Sequence, residues 1–134
     1  GQKREKDGHW CLPLVTRFNH KEGIAPYSGI VAVSANSHAI DPAGYTKSQR
    51  EMMAACAFVG SELKARAAIR IDGREDKKGS IRLFDINLKP NMTGPGRPGR
   101  SDQQSLTAIA AAQLGWTYKE LILNILHNAW TGMT

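Results

Sequence analysis

Apolar residues change their spacing twice along the chain, and those changes divide it into elements. In the first third they are short-range and irregular: Trp10 to Val15 is a brief apolar run broken by Pro13, and Phe18–Ser28 has no periodicity and reads as a loop. Gly29–Ser34 alternates, with Ile30, Ala32 and Ser34 on one side and Val31 and Val33 on the other, which predicts a strand. Asn36–Thr46, with Asp41-Pro42 and Gly44, predicts another loop. A helical period follows: Met52, Cys56, Val59 and Leu63, joined by Met53 and Ala55, form one face of a helix over Ser48–Lys64.

The period then returns to two. Ala67, Ile69 and Ile71 alternate with Ala68, Arg70 and Asp72, and a second strand spans Ile81–Asn87 beyond the charged, two-glycine loop Gly73–Gly79. A hairpin symmetric about that loop sets Asp72 opposite Asp85 and Arg70 opposite Asn87. Asp85 and Asn87 then share a face, while Phe84 and Ile86 are expected to enter a core. Asn91–Arg100, rich in Gly and Pro and carrying Arg97 and Arg100, reads as a long flexible or lid-like loop.

Two helices close the chain. Ser105 opens one that carries Leu106, Ile109, Ala110 and Leu114 and stops at Gly115, a C′ glycine. The other has a capping box, Thr117 with Glu120, and a Trp116/Leu121 staple; Leu121, Ile122, Ile125, Leu126, Ala129 and Trp130 form its buried side, with Gly132 as its stop. Strands followed by helices in these proportions predict an α+β fold, with an open-sheet α/β arrangement as the alternative.

Length, charge and cysteine usage narrow the function. The chain's 134 residues suit one moderate core. Its 41% hydrophobic and 22% charged content is ordinary for a globular domain, and no apolar stretch is long enough for a membrane span. Gly1–Gly8 is too polar for a signal peptide. The net charge of +6 is scattered apart from Lys3, Arg4 and Lys6 and the pair Arg97 and Arg100, so a nucleic-acid partner is disfavoured. Cys11 and Cys56 are expected as thiols in a reducing compartment, and a cytoplasmic location follows. His20 and His38 lack a partner at zinc-like spacing, terminal His9 and His127 on the last helix read as structural or solvated, and Trp10, Trp116 and Trp130 read as packing residues.

Chemistry concentrates on the hairpin. Asp72, Asp85 and Asn87 offer three oxygens on one face, the donor set of a hard cation such as Mg²⁺ or Mn²⁺. Two carboxylates paired across a ladder repel unless a positive charge lies between them, and Arg70 stands ready as a further neutralising charge. A polar sheet edge and an ordinary Arg70 salt bridge are the competing explanations.

In order, Arg70-Ile71-Asp72, Asp85-Ile86-Asn87, Pro90-Asn91-Met92-Thr93, Ser105-Leu106 and Gly115-Trp116-Thr117-Tyr118 resemble the C-terminal part of the ATP-grasp fold, and most closely D-alanine–D-alanine ligases. The thirteen-residue step from Asp72 to Asp85 is the family's own. The best-matched region is 66–130, within one partial ATP-grasp domain over 1–134 whose first nine residues read as flexible.

The resemblance implies a Mg²⁺- and ATP-dependent carboxylate–amine ligase working through an acyl phosphate. Asp72, Asp85 and Asn87 would be its metal ligands. Arg70 would be catalytic and, with Lys89, would contact the nucleotide's phosphates. Asn91, Ser105, Leu106, Arg97 and Arg100 would face the carboxylate or amino-acid substrate, Ser105 at a helix N-terminus suited to an anion.

The chain departs from the family in three places. Asp85 stands where Glu is usual, Asn91 replaces a glycine, and eleven residues separate Thr93 from Ser105 where the family has a much shorter link. No nucleotide-clamping subdomain is recognisable before Arg70. The expectation is therefore a C-terminal part that needs that partner, on the same or another chain, and is inactive alone; a homodimer is possible. The alternatives are a non-catalytic interaction or regulatory domain that keeps the fold, and a small basic nucleic-acid-binding module.

Overall fold

A computed structural model of the chain describes residues 8–18, 33–99 and 103–131, with residues 130 and 131 described by their backbone alone. Lys3, Arg4, Lys6, His20, most of the 18–28 loop, residues 29–32, Arg100, the Trp130 side chain and Gly132 lie outside the described residues.

The described chain is α+β, with two small antiparallel sheets and three α-helices. The first sheet pairs β1 (Val15–Arg17) with β2 (Ser37–Ala39), Thr16 opposite His38. The strand expected at Gly29–Ser34 is not formed at its described end, where Val33–Ala35 makes a 3-10 turn. The loop expected over 36–46 instead contains β2 and a second 3-10 turn, Pro42–Gly44. Buried Asn36 explains the shift: its backbone oxygen accepts from Phe18 N at 3.0 Å and its side-chain oxygen from Ser37 Oγ at 3.1 Å, which fixes the register of the small sheet.

α1 (Lys47–Glu62) begins at a capping box. Gln49 N donates to Thr46 Oγ1 at 3.2 Å and Thr46 N donates to Gln49 Oε1 at 2.8 Å, satisfying two of the helix's orphan donors. Its other end is a Schellman motif, with Ala65 N donating to Gly60 O and Lys64 N to Ser61 O, both at 3.0 Å. Lys64 takes the left-handed conformation there, φ 51°.

The second sheet is the hairpin β3 (Arg70–Glu75) and β4 (Ile81–Asn87). β3 starts three residues later than the alternation from Ala67 suggests and runs past Gly73. The turn between the strands is shorter than expected: Asp76 N donates to Ser80 O at 2.8 Å and Gly79 N to Asp76 O at 3.0 Å. α1 packs on this hairpin with Met52 against Gly73, where an added Cβ would lie 2.8 Å from Met52 Cε and 3.0 Å from Ile81 Cγ2.

α2 (Leu106–Gln113) is capped by Ser105, whose Oγ accepts from Ala108 N at 3.1 Å, and it ends at Gly115 with φ 80°. α3 (Tyr118–Thr131) starts at the expected capping box: Glu120 N donates to Thr117 Oγ1 at 3.2 Å and Thr117 N to Glu120 Oε2 at 2.7 Å. α2 packs on the first sheet and on α3, so the buried set Ala108, Ala110, Ala111 and Leu121 gathers around it. Trp10 meets Trp116 edge-on at 5.7 Å between ring centroids, and Leu14 N donates to Tyr45 OH at 2.7 Å; both contacts tie the early chain to the helices. Burial pushes the Tyr45 hydroxyl pKa up against the opposing effect of that bond.

The core is small, and the expected burial of Phe84 and Ile86 fails. Phe84 is 68% exposed and Ile86 45%, and Leu88, Phe58 and Leu63 are exposed with them. α1 covers the hairpin at Gly73 and Ile81, and the apolar residues toward the far end of β4 extend beyond it. No helix among the described residues is long and apolar enough to cross a membrane.

Candidate functional site

The hairpin register decides which side chains meet. Arg70 pairs with Asn87, Ile71 with Ile86 and Asp72 with Asp85, as a hairpin symmetric about its loop requires. Beyond Asp72 the register slips: Gly73 pairs with Leu83, so Phe84 is an extra residue in β4, a β-bulge. Because β3 is regular, residues on one face can be read from it. Arg70, Asp72 and Arg74, with their partners Asn87, Asp85 and Arg82, form a wholly polar face. Ile71, Gly73 and Glu75, with Ile86, Leu83 and Ile81, form the other, and Met52 of α1 packs there.

The polar face is electrostatically lopsided. Arg70 grips Asp72 as a fork, Nε to Oδ1 at 3.0 Å and an Nη to Oδ2 at 3.1 Å, with both side chains about one-third exposed. Two parallel charge-assisted bonds hold both guanidinium and carboxylate in one orientation. Asp85, directly opposite Asp72, makes no hydrogen bond or ion pair among the described residues and is exposed. Asn87 turns its side-chain oxygen to its own chain, accepting from Lys89 N at 2.9 Å. That bond uses one lone pair and leaves the second available.

Arg74 and Arg82 were not foreseen as members of this face. Arg74 fell inside what reads as a loop, and Arg82 is out of phase with Asp85 by simple alternation; only the bulge brings it round. Arg82 Nε also donates to Asp76 Oδ2 at 3.2 Å. Asp76 is held below the usual aspartate pKa, first by the N–H of Ser80 and then by that of Lys78, with Arg82 adding to the effect.

The segment after β4 is anchored in its first half, contrary to a lid-like loop. Thr93 N donates to Asn91 Oδ1 at 3.0 Å and Thr93 Oγ1 bonds the same oxygen. Thr107 Oγ1 donates to Asn91 O at 3.4 Å, and Ser105 N to Thr93 O at 2.9 Å. Tyr118 OH donates to Met92 O at 2.9 Å, and its ring lies so close to buried Gly94 that a Cβ there would stand 2.6 Å from it. The segment thus carries the chain from Asn87 to the N-terminus of α2, bringing Asn91, Ser105 and Leu106 together. Ser105 is 2% exposed and its oxygen is spent on the cap. Lys89 and Arg97 are exposed.

Two carboxylates and one amide oxygen on a single strand pair are hard donors of the kind Mg²⁺ accepts, though Asp72 would have to share its oxygens with Arg70. Among the described residues no group of three or more His, Cys, Asp or Glu side chains is placed to hold a metal, so Asn87 is an essential member of any such set. A shallow, open depression of about 360 Å³ lies elsewhere, between β2 and α2, lined by Ser37, His38, Gln104 and Ile109 among others; it contains none of the residues singled out on the hairpin.

Comparison with known proteins bears on the same region. No family profile matches the chain, and no solved structure matches it. Over 122 residues, 88% of the chain, it is 31% identical to the D-alanine–D-alanine ligase of Synechococcus sp. (strain JA-2-3B'a(2-13)), and it spans 34% of that protein's length. The chain is therefore partially homologous to a ligase, with most of its own residues and about a third of the ligase's taking part in the match.

Proposed function

We propose that this chain is the C-terminal, magnesium- and ATP-binding part of an ATP-grasp carboxylate–amine ligase of the D-alanine–D-alanine ligase kind. The observation that carries the reading is the pairing of Asp72 with Asp85 and of Arg70 with Asn87 on one polar face. The partial similarity to the cyanobacterial ligase supports it.

In that role Asp72, Asp85 and Asn87 would hold the cation, which supplies charge neutralisation at the oxygens of the transferring phosphoryl group. Arg70 would be the part that moves. Its fork on Asp72 keeps the face closed, and turning the guanidinium toward a phosphate oxygen would free the Asp72 carboxylate as it neutralises the incoming charge. Lys89 would add a further positive charge two residues beyond the end of β4. The anchored 91–94 segment and the α2 N-terminus, with Ser105 and Leu106, would border the carboxylate or amino-acid substrate, and Arg97 and Arg100 would approach it from the segment that follows. The ligase chemistry is transfer of the ATP γ-phosphoryl to a carboxylate, giving ADP and an acyl phosphate, then displacement of phosphate by an amine.

A nucleotide clamp would come from a partner subdomain, on the same protein or another. The exposed apolar residues Phe84, Ile86 and Leu88 on and just after β4 support such a partner. The same residues favour a second reading, an interaction domain that retains the fold without catalysis.

Mn²⁺ broadening of backbone NMR signals, with and without ATP, separates the two. Broadening centred on Asp72, Asp85 and Asn87 that disappears in Asp85→Ala and Asn87→Ala supports the ligase reading. Broadening that is absent, or unaltered by both substitutions, overturns it.

A further inference from the structure

Cys11 and Cys56 are distant in sequence and adjacent in space. The segment that carries Cys11 lies along α1. His9 Nε2 is 3.2 Å from Ala65 O beyond the helix's C-terminal end, and Cys11 Sγ donates to Met53 O at 3.5 Å in its middle. A helical carbonyl points along the axis toward the next turn. The Met53 carbonyl therefore holds the Cys11 sulfur beside the turn that carries Cys56, near enough for Cys11 to lower the Cys56 thiol pKa. Both are reduced and half-buried, within reach of a small solute. Cys56 is fixed by regular helix, while Cys11 lies in a stretch with neither helix nor strand, so its backbone can adjust to the narrow geometry of a disulfide.

We propose that Cys11 and Cys56 form a redox-modification site, a dithiol that a hydroperoxide converts into an intramolecular disulfide joining the chain before β1 to α1. When the Cys11 thiol turns its single proton from Met53 O to the Cys56 sulfur, it lowers the Cys56 thiol pKa against the opposing effect of burial, which makes Cys56 the attacking partner. Its thiolate sulfur takes the distal oxygen of the hydroperoxide. The O–O bond breaks, the departing alkoxide takes a proton and leaves as an alcohol, and Cys56 becomes a sulfenic acid. Cys11 then gives up its proton and attacks that sulfur. The S–S bond forms, the S–O bond breaks, and hydroxide leaves with the proton as water. Two thiols are oxidised by two electrons and one hydroperoxide is reduced.

The staple would fix α1, the helix whose Met52 supports the apolar face of the hairpin behind Asp72 and Asp85. The site is independent of the ligase reading, since it uses none of the residues assigned there.

The test is hydrogen peroxide treatment of the full chain, alkylation of remaining thiols, and mass mapping without reductant. One intramolecular Cys11–Cys56 link, reversed by dithiothreitol and accompanied by a rise in Tm of roughly 10 °C, is the expected result. In Cys11→Ser, dimedone should trap Cys56 as the sulfenic acid; in Cys56→Ser, oxidation of Cys11 should slow. Complete alkylation of both cysteines after treatment, sulfinic acids without a link, or disulfides between chains would each overturn the proposal. The mapping of the unsubstituted chain decides this even if a variant fails to fold.

Discussion

Asp72 and Asp85 face each other across the β3–β4 ladder, and Arg70 forks only the first of them. The second charge has no local partner, and like charges directly opposite destabilise a strand pair. Asp85→Asn should therefore stabilise the metal-free chain, by about 0.5 kcal/mol, while removing its response to magnesium. Thermal melts of both forms, with and without Mg²⁺, check this. A carboxylate kept at a cost to stability is what a binding site predicts and what a structural salt bridge does not.

Gly73 sits under Met52 of α1, with no room for a side chain. A Cβ there would also lie 3.3 Å from the Arg82 backbone oxygen, which cannot move aside as the end of a methionine can. Gly73→Ala should destabilise the chain by about 1–3 kcal/mol, and adding Met52→Ala should recover only part of the loss, because the backbone contact remains. Denaturant titration of the single and double variants gives the coupling.

Among the described residues the Schellman motif occurs twice. After α2 it has Gly115 in the left-handed position, with Gly115 N bonded to Ala112 O and Trp116 N to Ala111 O. After α1 the same position is Lys64, whose Cβ makes that conformation unfavourable. Lys64→Gly should stabilise the chain by about 1 kcal/mol, read as an increase in denaturant midpoint without a change in slope.

The hairpin turn should respond to acid. Asp76 Oδ1 accepts from Lys78 N at 2.8 Å and Ser80 N at 3.0 Å, and its pKa in the folded chain lies below the ordinary 3.8. A depressed folded-state pKa contributes stability that is present above 3.8 and is lost as pH falls through the folded value. The Lys78 and Ser80 amide resonances should titrate with a midpoint under 3.8, and a midpoint at or above it would contradict the assignment.

What could be read from the sequence followed from strong local rules. The Thr117–Glu120 box, the Ser105 cap, the C′ role of Gly115 and the pairing of Asp72 with Asp85 were all legible, because each depends on spacing within a few residues or on symmetry about one turn. The equivalent box at Thr46–Gln49 obeys the same rule with Gln in the place of Glu. β2 was hidden because its register depends on buried Asn36, a tertiary contact, and the exposure of Phe84 and Ile86 because alternation says which residues share a face and nothing about what covers it. The ordered motifs between Arg70 and Tyr118 carry the resemblance that the sequence offers, and the partial similarity to a D-alanine–D-alanine ligase agrees with it in its coarse form, whereas the Arg70 fork on Asp72 and the two further arginines of the polar face required the register.

The extra residue Phe84 acts as a phase shifter. Upstream of it the odd-numbered residues of β4 face the helix; downstream the odd-numbered residues face away, so Leu83 can pack while Asp85 two positions later is presented outward. Were Phe84 paired in a regular ladder, Leu83 and Asp85 would share a face, forcing a choice between burying Asp85 and exposing Leu83; deleting Phe84 would remove the bulge and leave both on their present faces. Support and chemistry are thereby written on the same seven-residue strand as two separate messages, and either can vary without rewriting the other.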